Sequence, residues 1–272
     1  MNEKISLAGD LGSGKSTVSE ILIKDLGAEY YSTGKIVRSI AERRGMTIGE
    51  LNSYMETHHE IDREIDDGLV ALTNDPRLLI IDSRMAWHFT EGTFKVYLST
   101  DIETSAARIM AANRKGEHNA TFEETVAATK ARRESEKKRY TEQYGVDIKN
   151  LFNYSLIVDT SVATPKEVAA VIEWGFEEWK KDKSFTAAKI SPERLFLPDI
   201  EADGEYLSYL TVSLEAGEDI GCLSVIEKDG DFYLADRIEK VLAYTFTMET
   251  LLPCKLVSGE PSGEYVRMKN SL

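Results

Sequence analysis

Short apolar runs alternate with longer amphipathic stretches through roughly the first 180 residues of the chain. The runs "KISLAG", "AEYYS", "LLIID", "FKVYLS" and "YSLIVDTS" have the length and composition of strands, and polar or amphipathic segments separate them. This order predicts an α/β fold, a parallel sheet with helices on both faces. The stretch from Pro165 to Lys181 places Val168, Val171, Ile172, Phe176 and Trp179 at helical spacing, after which "KKDKSFTAAK" loses the period. A domain boundary is therefore expected near Ser184, giving units 1–183 and 184–272. Beyond it the pattern changes to short strand-like runs broken by turn signals, such as "YLTVSL", "CLSVIEKDGDFYLA" and "PCKLVSGEPSG". Asp229-Gly230 between two of these runs predicts a hairpin inside a small α+β unit.

Composition narrows the function classes. A chain of 272 residues, 42% of them hydrophobic, is long enough for one full core and a second small one. The formal net charge is −14, so the molecule as a whole repels nucleic acid and anionic membranes unless a local basic patch opposes the global field. Residues from Ser184 onward carry 16 acidic and 8 basic side chains, which makes a polyanionic ligand an unfavourable partner for that part. The two cysteines, Cys222 and Cys254, lack metal-ligand spacing. There is no leader pattern at the start and no apolar run of membrane length. The expectation is a soluble, cytoplasmic, reduced protein.

Against that acidic background, "GDLGSGKST" stands between a predicted strand and a predicted helix. Gly9 and Gly14 bracket four residues and precede Lys15-Ser16, the phosphate-loop pattern of P-loop NTPases. Glycines let backbone N–H groups turn inward around phosphates, Lys15 supplies a mobile cation, and the Ser16 hydroxyl suits Mg²⁺. The helix over residues 16–26 adds its N-terminal dipole. A loop of this kind alone does not separate a kinase from a GTPase or a motor.

Transfer to a second phosphate needs further cations, because one anion must approach another. After the second strand comes "STGKIVR", a strand-to-helix turn with hydroxyls, Gly34 and, one helical turn on, Arg38. After the third comes "LLIIDSR", with Asp82 at the strand end and Arg84 two residues on. Both arginines are expected at the carboxyl edge of the sheet, beside the phosphate loop. In "TKARRESEKKRY", Arg132, Glu136 and Arg139 are spaced i, i+4, i+7 and share one helix face. Two guanidinium groups there would hold phosphate oxygens, while the carboxylate accepts from a base amine or sugar hydroxyl. Arg108 and Arg114 are candidates for a lid over the triphosphate. His58, His59 and His88 have no metal-spaced partners and are read as structural or surface residues, and Trp87, Trp174 and Trp179 as packing groups.

In this order, "GDLGSGKST", "STGKIVR", "GMTIGELNSYMETHHEIDREID", "IDSRMAW", "RRESEKKRYTEQYGVDI" and "LIVDTS" resemble the cytidylate kinases, nucleoside monophosphate kinases, particularly their compact archaeal-type branch, over about residues 4–180. The resemblance implies ATP- and Mg²⁺-dependent transfer of the γ-phosphoryl group to CMP or dCMP. It implies that Gly9, Gly12, Ser13, Gly14, Lys15, Ser16 and Thr17, with Arg108 and Arg114, hold ATP, and that Ser16 and Asp82 serve Mg²⁺. The acceptor would meet Ser32, Gly34, Lys35, Arg38, Arg84, Arg132, Glu136 and Arg139, with Lys15, Arg84, Arg132 and Arg139 acting in catalysis. Two turns depart from the family: Lys35 stands where many relatives carry an acidic residue, and "IDSR" replaces an acidic-Gly-Arg turn. Two alternatives therefore stay open, a nucleotide-sensing regulator without transfer activity and a kinase of another small metabolite.

The carboxyl-terminal part, from "ISPERLFLP" to "TLLPCKLV", resembles a short version of the ParB/sulfiredoxin-like fold. At its decisive turn, Arg237-Ile238-Glu239-Lys240 replaces the Gly-His-His-Arg type of turn, which argues against nuclease or DNA-binding activity. A regulatory, small-ligand or homodimer-forming module is the expectation.

Overall fold

The computed structural model describes residues 3–55, 57–112, 121–247 and 249–268. All six residues of β1 (Lys4–Gly9) are buried, including Lys4, whose ammonium donates to the Thr73 carbonyl at 3.3 Å. Burial on both faces explains the continuous apolar run. From β1 the chain enters α1 (Lys15–Leu26), β2 (Glu29–Ser32), α2 (Thr33–Arg44), α3 (Ile48–Met55), α4 (Glu60–Ala71), β3 (Leu79–Asp82), the short α5 (Ala86–Phe89) and β4 (Thr93–Ser99). It continues through α6 (Ile102–Ala111), α7 (Phe122–Tyr144), β5 (Leu156–Asp159) and α8 (Pro165–Lys181).

Local chemistry sets several helix ends. Ser32 Oγ accepts from the Lys35 amide to start α2, and capping boxes of Thr121 with Glu124 and Thr164 with Glu167 start α7 and α8. The five strands lie parallel in the order β5-β4-β1-β3-β2. The order reverses at β1, whose neighbours are β3 and β4, so its carboxyl end opens into a crevice. One face is covered by α1 and α8, whose Val18, Leu22, Val168, Ile172 and Phe176 pack with Phe94, Val96 and Val158. A separate apolar cluster joins α2, α3 and α4 to Leu79, Ile81 and Ile148 and so fixes the helices that flank the crevice.

Past residue 184 come β6 (Ala187–Ile190), β7 (Leu195–Pro198), α9 (Gly204–Glu215), β8 (Leu223–Lys228), β9 (Asp231–Leu234), α10 (Ile238–Phe246), β10 (Leu252–Leu256) and β11 (Tyr265–Arg267). β6 pairs parallel with β5 and antiparallel with β10. The described residues therefore form one eleven-stranded sheet, ordered β11-β7-β9-β8-β10-β6-β5-β4-β1-β3-β2. The core also runs on, with Tyr97 and Ile157 in the same cluster as Leu223, Phe232 and Val241. Ser184 falls between α8 and β6 in the chain, while backbone pairing and apolar packing continue across it.

The expected hairpin is present: β8 and β9 pair antiparallel across Asp229 (φ 55°) and Gly230 (φ 91°), two positive-φ positions that suit a tight turn. The run "YLTVSL" is not a strand but part of α9, which Asp203 caps by accepting from the Glu205 and Tyr206 amides. Its helical period was hidden because Tyr209 and Val212 face solvent, each 63% exposed, while Leu210 is buried.

Gly9 ends β1 at φ 146°, and a Cβ there would stand 2.4 Å from the Leu98 carbonyl oxygen. Gly9→Ala is expected to destabilise the protein by roughly 2–4 kcal/mol, read as a lower urea midpoint; an unchanged midpoint would contradict this close approach.

Candidate active site

The loop between β1 and α1 is shaped by its glycines. Gly12 (φ 71°) passes close to the Ser105 backbone, and Gly14 (φ 82°) occupies the N-cap of α1, so the first helical amides face the crevice. Lys15 folds back over the loop, its ammonium donating to the carbonyls of Gly9 at 3.0 Å and Asp10 at 2.9 Å. Burial, and then the nearby Arg84 guanidinium, push its pKa down to about 8.

One cleft, lined by loop residues Gly12 to Thr17, also receives Gly34 and Arg38 from α2, Asp82 and Arg84 from the end of β3, and Arg132, Glu136 and Arg139 from α7. Five cations thus face two carboxylates in a molecule that is acidic overall. Such a pocket focuses a positive field on an incoming anion. A second chamber of ≈ 420 Å³ adjoins it, with Arg132, Glu136 and Arg139 in the wall common to both. Ile48 and Asn52 also line both, and the remaining sides include Ser53, Ile109, Ala128 and Ser135, small and apolar surface with a few hydroxyl groups.

The cations stand close together because Glu136 lies between them. It is 8% exposed, and its carboxylate accepts from Arg84 Nε and, at 3.1 Å, from Arg132 Nε. Burial raises its pKa, but Arg84 and Arg132 outweigh burial and hold it down at about 2. Both oxygens are therefore engaged by arginine, and Glu136 positions guanidinium groups where the sequence suggested contact with a base or sugar. Arg139, also buried, donates to the Tyr140 hydroxyl at 3.1 Å and lies 3.9 Å from Asp62. Asp82 accepts from the Tyr30 hydroxyl at 2.8 Å.

Four of the expected residues are not in the cleft lining: Gly9, the last residue of β1, and the three that follow. Ser32 is buried as the cap of α2, and Lys35 does not line the cleft but lies 4.7 Å over the Tyr30 ring. Arg108 donates to the Thr160 carbonyl at 2.6 Å and to the Gly12 carbonyl at 3.4 Å, which places it against the phosphate loop. Arg114 lies outside the described residues. Among the described residues no group of three or more His, Cys, Asp or Glu is arranged to hold a metal, and no helix is long and apolar enough to cross a membrane.

A group not foreseen lies beneath the loop. Asp10 accepts from Lys149 Nζ, from the Tyr97 hydroxyl at 3.0 Å and from the Thr100 amide at 3.0 Å, and Arg133 of α7 stands 3.7 Å away. Burial raises the Asp10 pKa, yet Lys149 and Arg133 hold it at about 2. The signal was a carboxylate inside an anion-binding loop, which demands a cation from somewhere. Asp10→Ala strands Lys149 and Arg133 and is expected to cost roughly 3–5 kcal/mol in urea unfolding. Combining it with Lys149→Met should cost less than the sum of the two single changes, and strict additivity would contradict the pairing.

Comparison with known proteins agrees with this geometry. Residues 5–142 match the AAA domain family. The chain is 34% identical over 171 residues to a cytidylate kinase of Sulfurisphaera tokodaii, covering 62% of this chain and 92% of that one. It is 34% identical over 187 residues to a cytidylate kinase of Thermoplasma volcanium, covering 67% and 96%. It is also 36% identical over 173 residues to an S-adenosylmethionine-dependent nucleotide dehydratase of Lacinutrix mariniflava, where the match covers 63% of this chain but only 35% of that longer protein. The family match ends at residue 142 and lends no support to the ParB/sulfiredoxin-like resemblance beyond 184. With a phosphate loop facing a cluster of arginines, and with relatives matched over nearly their whole length, the chain belongs to the cytidylate kinase family of AAA-domain P-loop proteins.

Proposed function

We propose that the protein transfers the γ-phosphoryl group of ATP, with Mg²⁺, to a pyrimidine nucleoside monophosphate, CMP or dCMP. The observation that carries this reading is the single cleft in which Arg38, Arg84, Arg132 and Arg139 face the phosphate loop, beside a chamber large enough for a nucleoside. Lys15 and the loop amides would hold the donor phosphates, and the guanidinium groups would draw the acceptor phosphate into line with them. An ionised acceptor oxygen attacks the γ-phosphorus, the bond from that phosphorus to the β–γ bridging oxygen breaks, and ADP carries away the electron pair. The nucleophile is already deprotonated at neutral pH, so no protein base is needed. The hydroxyl of Ser16 and the carboxylate of Asp82 both line the cleft and are hard oxygen donors of the kind Mg²⁺ takes; they would hold the ion, which would neutralise charge on the phosphates.

Lys35, one of the departures that motivated a regulator without transfer activity, lies outside the cleft, and this favours the kinase reading. An ADP-release assay across CMP, dCMP, UMP, AMP and GMP tests it. Turnover stimulated by CMP or dCMP is expected, and absence of stimulation by every acceptor would overturn the assignment. Lys15→Ala should abolish turnover. Arg84→Ala should lower kcat/KM for the acceptor by roughly 10²–10³-fold while sparing acceptor-free ATP hydrolysis; equal losses in both would contradict an acceptor-side role.

The depressed Lys15 pKa fixes a pH dependence. With its pKa pushed down to about 8, the ammonium of the free protein is mostly charged at neutral pH, half charged near 8 and neutral well above it. ATP affinity should therefore be flat at neutral pH and fall about tenfold per pH unit well above 8, by calorimetry. Lys15→Ala should bind weakly without that decline, and a parallel decline in the variant would assign the titration to another group.

A further inference from the structure

The sheet's extension reaches back toward the phosphate loop through one buried guanidinium. Arg194 closes the short 3₁₀ turn Pro192–Arg194 after β6 and is only 2% exposed. Its Nη1 donates to Asp159 Oδ1 and to Ser161 Oγ, both at 2.9 Å, and its Nη2 donates to the Gly230 carbonyl at the β8–β9 turn at 2.6 Å. Asp159, at the carboxyl end of β5, is fully buried and also accepts from the Ser161 hydroxyl and amide and from the Ser191 amide. Burying an ion pair gains little net stability over a well-packed apolar pair, so its geometric consequence is the more informative feature.

That consequence runs toward the donor side of the cleft. Ser161 Oγ also accepts from the Asp101 amide, at the N-cap of α6. The carbonyls of Thr160 and Ser161 accept from Arg108 of α6, whose other Nη reaches the Gly12 carbonyl. A continuous polar chain thus links the Gly230 turn, Arg194, the Thr160–Ser161 turn, Arg108 and the phosphate loop. We infer that Arg194 is a positioning residue for donor-nucleotide binding: through it, the β8–β9 hairpin holds the turn that braces Arg108 against Gly12. The extension beyond residue 184 therefore sets the affinity of the phosphate loop. Arg194 does not line the cleft, so it acts through Arg108 and not on the nucleotide.

This inference rests on the ATP-dependent reading above, and the test separates the two. Calorimetric titration of the full chain with ATP comes first, and absence of binding by the wild type would sink the earlier reading. Given wild-type binding, Arg194→Gln should raise the ATP dissociation constant and KM about tenfold while leaving acceptor KM within twofold. Arg194→Lys, with one point charge in place of a fork, should fall between. Arg108→Gln should weaken ATP binding comparably, and Arg194→Gln added to it should change little more, because both act through one chain. If Arg194→Gln does not fold, Asp159→Leu with Arg194→Met removes both charges together and carries the same expectation. A folded variant with wild-type ATP affinity, or additive effects of the Arg108 and Arg194 changes, would overturn the inference.

Discussion

The cleft depends on one buried carboxylate. Arg84 comes from the end of β3 and Arg132 from α7, and without an anion between them their repulsion in a poorly hydrated site would drive the two elements apart. Glu136 removes that repulsion, and both arginines line the cleft. The same contact ties α7 to the central sheet. The helix that forms the wall between the two chambers is thus fixed by the charge chemistry the site requires, and recognition and fold share an interaction.

The phosphate loop shows the same logic in reverse. Its amides and Lys15 need an anion, and the protein supplies part of the compensation internally: carbonyls of Gly9 and Asp10 receive the ammonium, and the Asp10 carboxylate gathers Lys149 and Arg133 underneath. Arg133 neighbours Arg132 on α7, so the ion group under the loop and the arginine face above it are carried by one helix. A chain with net charge −14 can still attract a nucleotide, because the local field in this crevice is positive where the global field is not.

Much of this was legible in the sequence, for identifiable reasons. Four of the five strands of the first half, β1, β3, β4 and β5, are almost wholly buried, so their apolar runs are nearly continuous and hard to misread, while β2, at the sheet edge, is only partly buried. The spacing of Arg132, Glu136 and Arg139 placed them on one face, because helical periodicity is local. What it did not carry was the partner of Glu136: Arg84 lies 52 positions away, and no local pattern joins the two. Lys149 and Asp10 are 139 positions apart, and no local pattern joins them. Lys35 was misjudged in direction, since the Ser32 cap fixes the first turn of α2 and points that side chain toward Tyr30. The carboxyl-terminal part was the least readable. Its strands join the existing sheet edge instead of forming a separate one, a pairing set by β5 and β6 that composition does not encode.

In the proposed reaction, donor and acceptor occupy adjoining halves of one cation-lined cleft. A bisubstrate probe, cytidine and adenosine joined through five phosphates, addresses this arrangement directly by calorimetric titration with Mg²⁺. Binding of one probe per chain, at least about 100-fold tighter than either ATP or CMP alone, is the predicted result. An affinity no greater than that of ATP would contradict it, because the arginine cluster would then not be holding a second phosphate beside the first.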